Sequence, residues 1–220
     1  MRIEIWADVV CPWCYIGKRR LEKALKNLAE TGFEHGEEIE LVYRSFELDP
    51  FAPEVGTESI AQALGRKYGK DEAGTRAMMA NVEELAAAEG LEFDYADATH
   101  TRTLNAHRLL HLAKEHGLQH ALLEELLASY FSRGESLGDF DVLRAAAAKA
   151  GLDTARVDEV LASKEYRDDV MADIAQARAY GASGVPFFVI DERFGISGAQ
   201  PTEVFEQAID QAWSTRSTAG

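Results

Sequence analysis

Cys11 and Cys14 are the only cysteines in the chain, and they bracket Pro12 and Trp13. Two thiols at this spacing can close into a disulfide and reopen, which is two-electron thiol–disulfide exchange. Pro12 suits the first position of a helix, because it has no N–H to leave unsatisfied and its φ is preset. A cysteine directly before a helix faces free backbone N–H groups and the positive end of the helix dipole, which stabilise a thiolate. Cys11 is therefore the expected nucleophile. Cys14, one turn into the helix, is expected to attack the mixed disulfide and release the product. Pro12 and Trp13, held between the two sulfurs, are expected to tune the pair. A structural zinc site needs four ligands and the cysteines supply two, so no metal is expected.

The elements that must position this pair can be read from periodicity. Residues 3–7 form a strand-like run, and Leu21, Ala24, Leu25 and Leu28 then fall at helical spacing. Residues 32–38 read as a polar, glycine-containing loop, and residues 39–46 as a second strand rich in β-branched and aromatic side chains. The natural connection is a right-handed βαβ crossover. Asp49 and the two prolines after it mark a break, and helical patterns follow for more than a hundred residues. Ser59 with Gln62 predicts a capping box. Further helices are expected over 72–88, 103–115, 120–131, 141–150 and 165–180, with a short helical turn after Thr154. Strand character returns at 186–190 and 194–197, joined tightly through 191–193. A closing helix opens at Pro201, with Val204, Phe205, Ala208, Ile209, Ala212 and Trp213 on one face. The order is β-α-β, a helical block, then β-β-α. This predicts one α/β domain (1–50 and 181–220) interrupted by an all-helical insertion (51–180).

A C-x-x-C pair beside a βαβ pattern is a thioredoxin-like signal. The stretch from Asp8 through Cys11, Trp13, Cys14 and Tyr15 to Gly17 resembles the active-site signature of the DsbA-type branch of the thioredoxin superfamily, in particular the FrnE-like cytosolic oxidoreductases. The stretch from Gly181 through Gly184, Val185 and Pro186 to Phe188 resembles that branch's cis-proline segment. The resemblance spans essentially the whole chain. It implies a thioredoxin-like fold split by a helical insertion, an enzyme that exchanges or isomerises disulfides, a cis Val185–Pro186 bond packed against the cysteines, and Val185 and Pro186 as the residues that hold substrate backbone. It implies no tightly bound cofactor, with glutathione as a candidate redox partner. Substrates would be a disulfide-containing protein or a low-molecular-weight thiol. The same architecture occurs in kappa-class glutathione transferases and 2-hydroxychromene-2-carboxylate isomerases, which usually carry serine where Cys11 stands. A glutathione-dependent isomerase or transferase of an aromatic small molecule is the alternative function, and a non-catalytic holding chaperone is a third. Thioredoxins place a buried aspartate six residues before the nucleophile. That position is Ile5 here, which leaves Asp8 and a water as alternatives for accepting the Cys14 proton.

Composition narrows the setting. The 220 residues are 46% hydrophobic, enough for a real core, and the formal net charge of −15 argues against nucleic acid as a partner. No apolar run approaches the ~18 residues of a membrane span, so no membrane association is expected. The first residues lack the long apolar stretch of a secretory leader, and the expected compartment is the cytoplasm. Thiols there are kept reduced, so the cysteine pair reads as chemistry, not as a staple. The oligomeric state stays open between monomer and homodimer. His107 and His111 lie one helical turn apart without the glutamate of a zinc-protease motif. They are expected on a solvated face, with lining of a substrate cleft as the lesser reading. Glu83, Glu84, Glu124 and Glu125 read as solvated helix faces.

Overall fold

The computed structural model of the protein describes residues 1–31 and 39–216. The loop expected at 32–38 lies outside the described residues. The chain divides into two compact units, one built from residues 1–46 and 173–220 and the other from residues 47–172.

The first unit is built on a four-stranded sheet. Strands β1 (Arg2–Ala7), β2 (Glu40–Ser45), β3 (Phe187–Ile190) and β4 (Phe194–Ser197) lie in the order β2-β1-β3-β4. β1 and β2 are parallel and joined through helix α1 (Pro12–Glu30), which is the expected βαβ crossover. β3 runs antiparallel to both β1 and β4, with Ile5 opposite Phe188 and Trp6 opposite Phe187. Because strand residues alternate between faces, Ile3 and Ile5 share one side of the sheet and Glu4 and Trp6 the other.

Both sides are covered. On the Ile5 side, Phe188 meets Phe205 edge-on, at 4.8 Å between ring centroids, from the closing helix. Polar contacts lock that helix (Thr202–Arg216, called α9 below) against α1: Asn27 donates to Glu206 at 2.7 Å, and Arg20 to the Ala199 carbonyl just before the helix at 2.7 Å. Ile3, Ile16, Leu21 and Ile209 are almost fully buried here, each stabilising the unit by roughly 1.5–3 kcal/mol.

The other side is covered by the second half of a helix that spans Arg167–Ala179. Asp173, on that helix, is the anchor. Its carboxylate accepts from Arg44 Nη1 at 3.1 Å and from the Ser45 backbone N–H at 2.9 Å. Its carbonyl accepts from the indole N–H of Trp6 at 2.8 Å. Arg44 also donates to buried Glu4, at 2.9 and 2.5 Å. Burial alone would lower the Arg44 pKa. The hydrogen bond to Glu4 and the charges of Asp173 and Glu4 outweigh it, and the net direction is upward. The guanidinium is thus held charged between two carboxylates, the condition under which a buried ion is tolerated.

The second unit is helical. It contains α2 (Ile60–Tyr68), α3 (Glu72–Ala88), α4 (Leu104–Glu115), α5 (Gln119–Phe131), α6 (Phe140–Lys149), α7 (Thr154–Ala162) and the first part of α8, the Arg167–Ala179 helix. The Ser59–Gln62 capping box forms in both directions, at 3.3 and 3.0 Å. Asp71, Asp139 and Asp153 cap α3, α6 and α7 through their side chains. The short turn expected after Thr154 is a nine-residue helix, because Asp153 caps its start and Val157, Val160 and Leu161 give it a buried face.

One expectation on α4 fails. His107 is 1% exposed and belongs to the buried side of the helix, not to a solvated face. Its neighbour Arg108 is buried as well, and donates to the carbonyls of Val160 and Ser163 at the end of α7 and of Glu165 beyond it. A polar residue type did not mean a polar side. His111, one turn on, is half-buried and stacks on Tyr166, at 6.2 Å between ring centroids.

Asp173→Ala is expected to lower the unfolding free energy by about 3 kcal/mol, the low end for breaking a buried pair, because Glu4 still neutralises Arg44. Asp173→Asn, which keeps an acceptor for Ser45, is expected to lose less. Urea denaturation of both variants checks the order.

Candidate active site

The end of β1 leads directly into the cysteines. Ala7 ends the strand, the Asp8 carbonyl accepts from the Cys11 N–H at 3.1 Å, and α1 starts at Pro12. Cys11 is the N-cap residue, with extended backbone (φ −93°, ψ 113°) and no side-chain capping bond, so its sulfur is left for other work. The Cys11 carbonyl takes the first helical N–H groups, from Cys14 at 3.0 Å and Tyr15 at 3.4 Å. The sequence puts Cys14 one turn in, and the helix turns it inward. Ala7, Cys11 and Cys14 form one buried cluster with Val185 packed against it.

The second half of the site arrives from the far end of the chain. Gly181, at φ 79°, takes the left-handed conformation that ends α8. The chain then reaches Val185 and Pro186, whose peptide bond is cis as expected. The Gly198 N–H bonds the Pro186 carbonyl at 2.8 Å, tying this segment to the end of β4. α1 comes close to it at Gly17, where an added Cβ would stand 3.1 Å from Pro186 and 3.3 Å from Phe188. A side chain there would press on Pro186 and Phe188, which would have to give by a few tenths of an ångström, so glycine suits this close approach. The result is one direct contact between the halves: the Cys11 thiol donates to the Val185 carbonyl, at 3.5 Å from sulfur to oxygen.

The structure therefore brings Cys11, Cys14, Val185 and Pro186 together. Cys11 is 3% exposed and Cys14 4% exposed, and the two are unbonded. Trp13 points the other way and is 39% exposed, so its ring faces solvent while Pro12 is half-buried. His107 and His111 belong to the helical unit described above. Among the described residues, no group of three or more His, Cys, Asp or Glu side chains is arranged to hold a metal ion.

Electrostatics distinguish the two sulfurs. The Cys14 pKa is raised well above the ordinary thiol value, first by burial, then by its hydrogen bond with Cys11 and the Cys11 charge. A backbone hydrogen bond from Asp8 acts in the opposite direction, and the negative charge of Asp8 adds to the rise. Cys14 is thus held as the neutral thiol at pH 7. An arrangement of this kind can hold one sulfur in reserve until a mixed disulfide has formed on the other.

Sequence reasoning missed Asp173, which anchors the helix leading to Val185. It sits in a helix with other acidic residues, and nothing local marks it as buried. It also missed Lys18, which is 5% exposed on α1 and donates to Glu22 at 2.5 Å.

Comparison with known proteins gives a consistent picture. A family model for the DSBA-like thioredoxin domain matches residues 2–210. The crystal structure of a probable DsbA oxidoreductase from Streptomyces coelicolor is 46% identical and covers 97% of this chain and 90% of its own, with a TM-score of 0.90. Two further structures share the fold at low identity. A 2-hydroxychromene-2-carboxylate isomerase is 13% identical over the full length of both chains, with a TM-score of 0.68. The cytosolic disulfide reductase DsbM from Pseudomonas aeruginosa, with GSH, is 17% identical over 100% of this chain and 99% of its own, with a TM-score of 0.63.

The raised Cys14 pKa carries an expectation for reactivity, since only the thiolate is alkylated. Native protein treated with iodoacetamide at pH 7 is expected to keep Cys14 unmodified. Labelling should rise only as the pH exceeds the ordinary thiol value of 9.0, or on denaturation. Mass spectrometry of peptides containing Cys14 checks this.

Proposed function

The chain belongs to the DSBA-like thioredoxin domain family, and on that premise we propose that it is a thiol–disulfide oxidoreductase in which Cys11 attacks and Cys14 resolves. One observation carries the reading. The inner thiol, Cys14, is held protonated beside an N-cap cysteine whose sulfur touches the Val185 carbonyl. Cys11 attacks a disulfide sulfur of the substrate, and one substrate thiolate leaves. Cys14 then attacks Cys11 and displaces the second. The protein ends as the Cys11–Cys14 disulfide and the substrate as two thiols, and each step can run in reverse. Val185 and Pro186 would hold the substrate backbone as an added strand, and Pro12 and Trp13 would set the potential.

The proposed partners are a disulfide-containing protein or a low-molecular-weight thiol, with glutathione as the redox partner and no tightly bound cofactor. The structure of DsbM with GSH supports glutathione in that role. The proposed compartment is the cytoplasm, as in the FrnE-like proteins the sequence resembles. A glutathione pool poised at about −220 to −320 mV keeps an oxidising dithiol mostly reduced. Reduction or isomerisation of substrates is then the favoured direction.

Insulin reduction and refolding of scrambled ribonuclease test the reading. Cys11→Ser is expected to abolish both. Cys14→Ser is expected to accumulate a mixed disulfide on Cys11 when treated with oxidised glutathione, visible as an added glutathione mass. Parent protein inactive in both assays, with Cys11→Ser matching it in thiol trapping, would sink the proposal.

The likeness to 2-hydroxychromene-2-carboxylate isomerase supports a second reading, a glutathione-dependent isomerase or transferase of an aromatic small molecule. That likeness is one of backbone, and the intact cysteine pair weighs against it. Tight glutathione binding, with turnover that survives Cys14→Ala, would favour this reading over dithiol exchange.

A further inference from the structure

A second concentration of charge lies at the opposite end of β1 from the cysteines. A cavity of about 340 Å³ opens there, lined by Arg2, Glu4, Asp191, Glu192, Arg193 and Arg216. A strand rises about 3.3 Å per residue, which puts Arg2 roughly 17 Å along β1 from Ala7, where the turn to Cys11 begins. The volume falls in the range of about 300–1,000 Å³ typical of small-molecule sites. Every lining side chain is charged, so a ligand with a large apolar surface would find nothing to bury against.

The contacts these residues already make leave a definite set of groups for a ligand. Asp191 is engaged: its Oδ1 accepts from the Arg2 backbone N–H at 2.8 Å and from Arg216 Nη2 at 3.0 Å, and Arg216 Nε stands 2.6 Å from Oδ2. Glu4 is 4% exposed, and Arg44 takes only one of its oxygens, Oε1. Among the described residues, nothing bonds Oε2 of this buried, cavity-lining carboxylate. Two guanidiniums are left as well. Arg2 reaches Glu4 and Glu40 only at 3.7 and 4.0 Å, beyond hydrogen-bond length. Arg193 rests over the Phe194 ring, 5.4 Å from its centroid, and among the described residues forms no ion pair. Asp191 and Glu192 hold the turn between β3 and β4 at φ 47° and 57°, where mirror-image turns favour Asn and Gly. Glu192 in that place adds a carboxylate to the cavity wall.

We propose that this cavity binds a hydroxylated phosphate monoester, a role independent of the dithiol exchange proposed above. A phosphate monoester carries close to two negative charges at neutral pH, and Arg2 and Arg193 supply two positive ones. The planar N–H forks of guanidinium suit phosphate oxygens. Glu4 Oε2 and the Glu192 carboxylate accept hydrogen bonds, and the hydroxyl groups on the rest of the ester are the donors that match them. Asp191 is the support, since it ties Arg216 and the backbone of Arg2 together at the edge of the cavity.

Calorimetric titration of ribose 5-phosphate into the full chain at low ionic strength tests the assignment, with ribose and inorganic phosphate as controls. One saturable site is expected for the ester, weaker binding for inorganic phosphate, and none for ribose. Arg2 and Arg193 are exposed, so Arg2→Ala and Arg193→Ala should fold as the parent does. Each is expected to weaken binding of the ester about ten- to a hundredfold, the range for a hydrogen bond to a charged group. Cys11→Ser should bind the ester as the parent does, which keeps the result separate from the cysteine chemistry. The thermal midpoint of the parent should rise with added ester, a measurement that needs no variant. No saturable binding of the ester in the millimolar range, unchanged binding by Arg193→Ala, or inorganic phosphate bound as tightly as the ester overturns the proposal.

Discussion

Trp6 and Phe187 face one another across the antiparallel pair of β1 and β3, a pairing that joins segments about 180 residues apart in sequence. The Cys11 helix begins where β1 ends, and the cis Val185–Pro186 bond sits where β3 begins. In this register both land at the same end of the two central strands. A slip of one residue would turn Ile5 and Phe188 out of the core and carry Val185 away from Cys11. The 3.5 Å contact between the Cys11 sulfur and the Val185 carbonyl is a readout of that register.

Two further features hold the register in place. Gly17 lets α1 come down onto Pro186 and Phe188, setting the height of the cysteines above the strand. On the opposite face, Arg44 is shared by Glu4 of β1 and Asp173 of α8, and Trp6 bonds the backbone of the same helix. α8 is the element that delivers the chain to Gly181 and Val185. The ion cluster thus helps to fix the path of the segment that meets Cys11. Burial also marks out the inner sulfur, since low-dielectric surroundings hold Cys14 as the neutral thiol.

Much of this was legible in the sequence because it is local. The strand at β1, the cysteines at a helix start, the capping box at Ser59 and the hairpin of β3 and β4 each announce themselves through residue type and spacing. The stretch from Gly181 to Phe188 was enough to predict a cis bond once the family resemblance was in hand. What was not legible is the non-local part. Asp173 looks like any acidic helix residue until a folded sheet places Arg44, Ser45 and Trp6 around it. His107 was read as part of a solvated face, yet the packing around α4 buries it, together with Arg108, which donates to carbonyls contributed some fifty residues later. Side-chain chemistry sets what a residue can do, but tertiary contacts decide which side of a helix is inside.

The place of the helical block in the chain has a consequence in time. β1 is flanked by β2 on one side and β3 on the other, and the 126 residues of the helical unit lie between those two neighbours in sequence. At synthesis rates of about 5–20 residues per second, β1 is made and paired with β2 roughly ten seconds before β3 leaves the ribosome. During that interval one rim of the sheet is an open template for any passing strand. The dithiol exists then without Val185 above it, as a nascent pair of thiols with no proteinaceous cover. The helical unit, made of contacts close in sequence, can complete itself meanwhile. The cysteine pair is among the first parts translated and among the last to be enclosed.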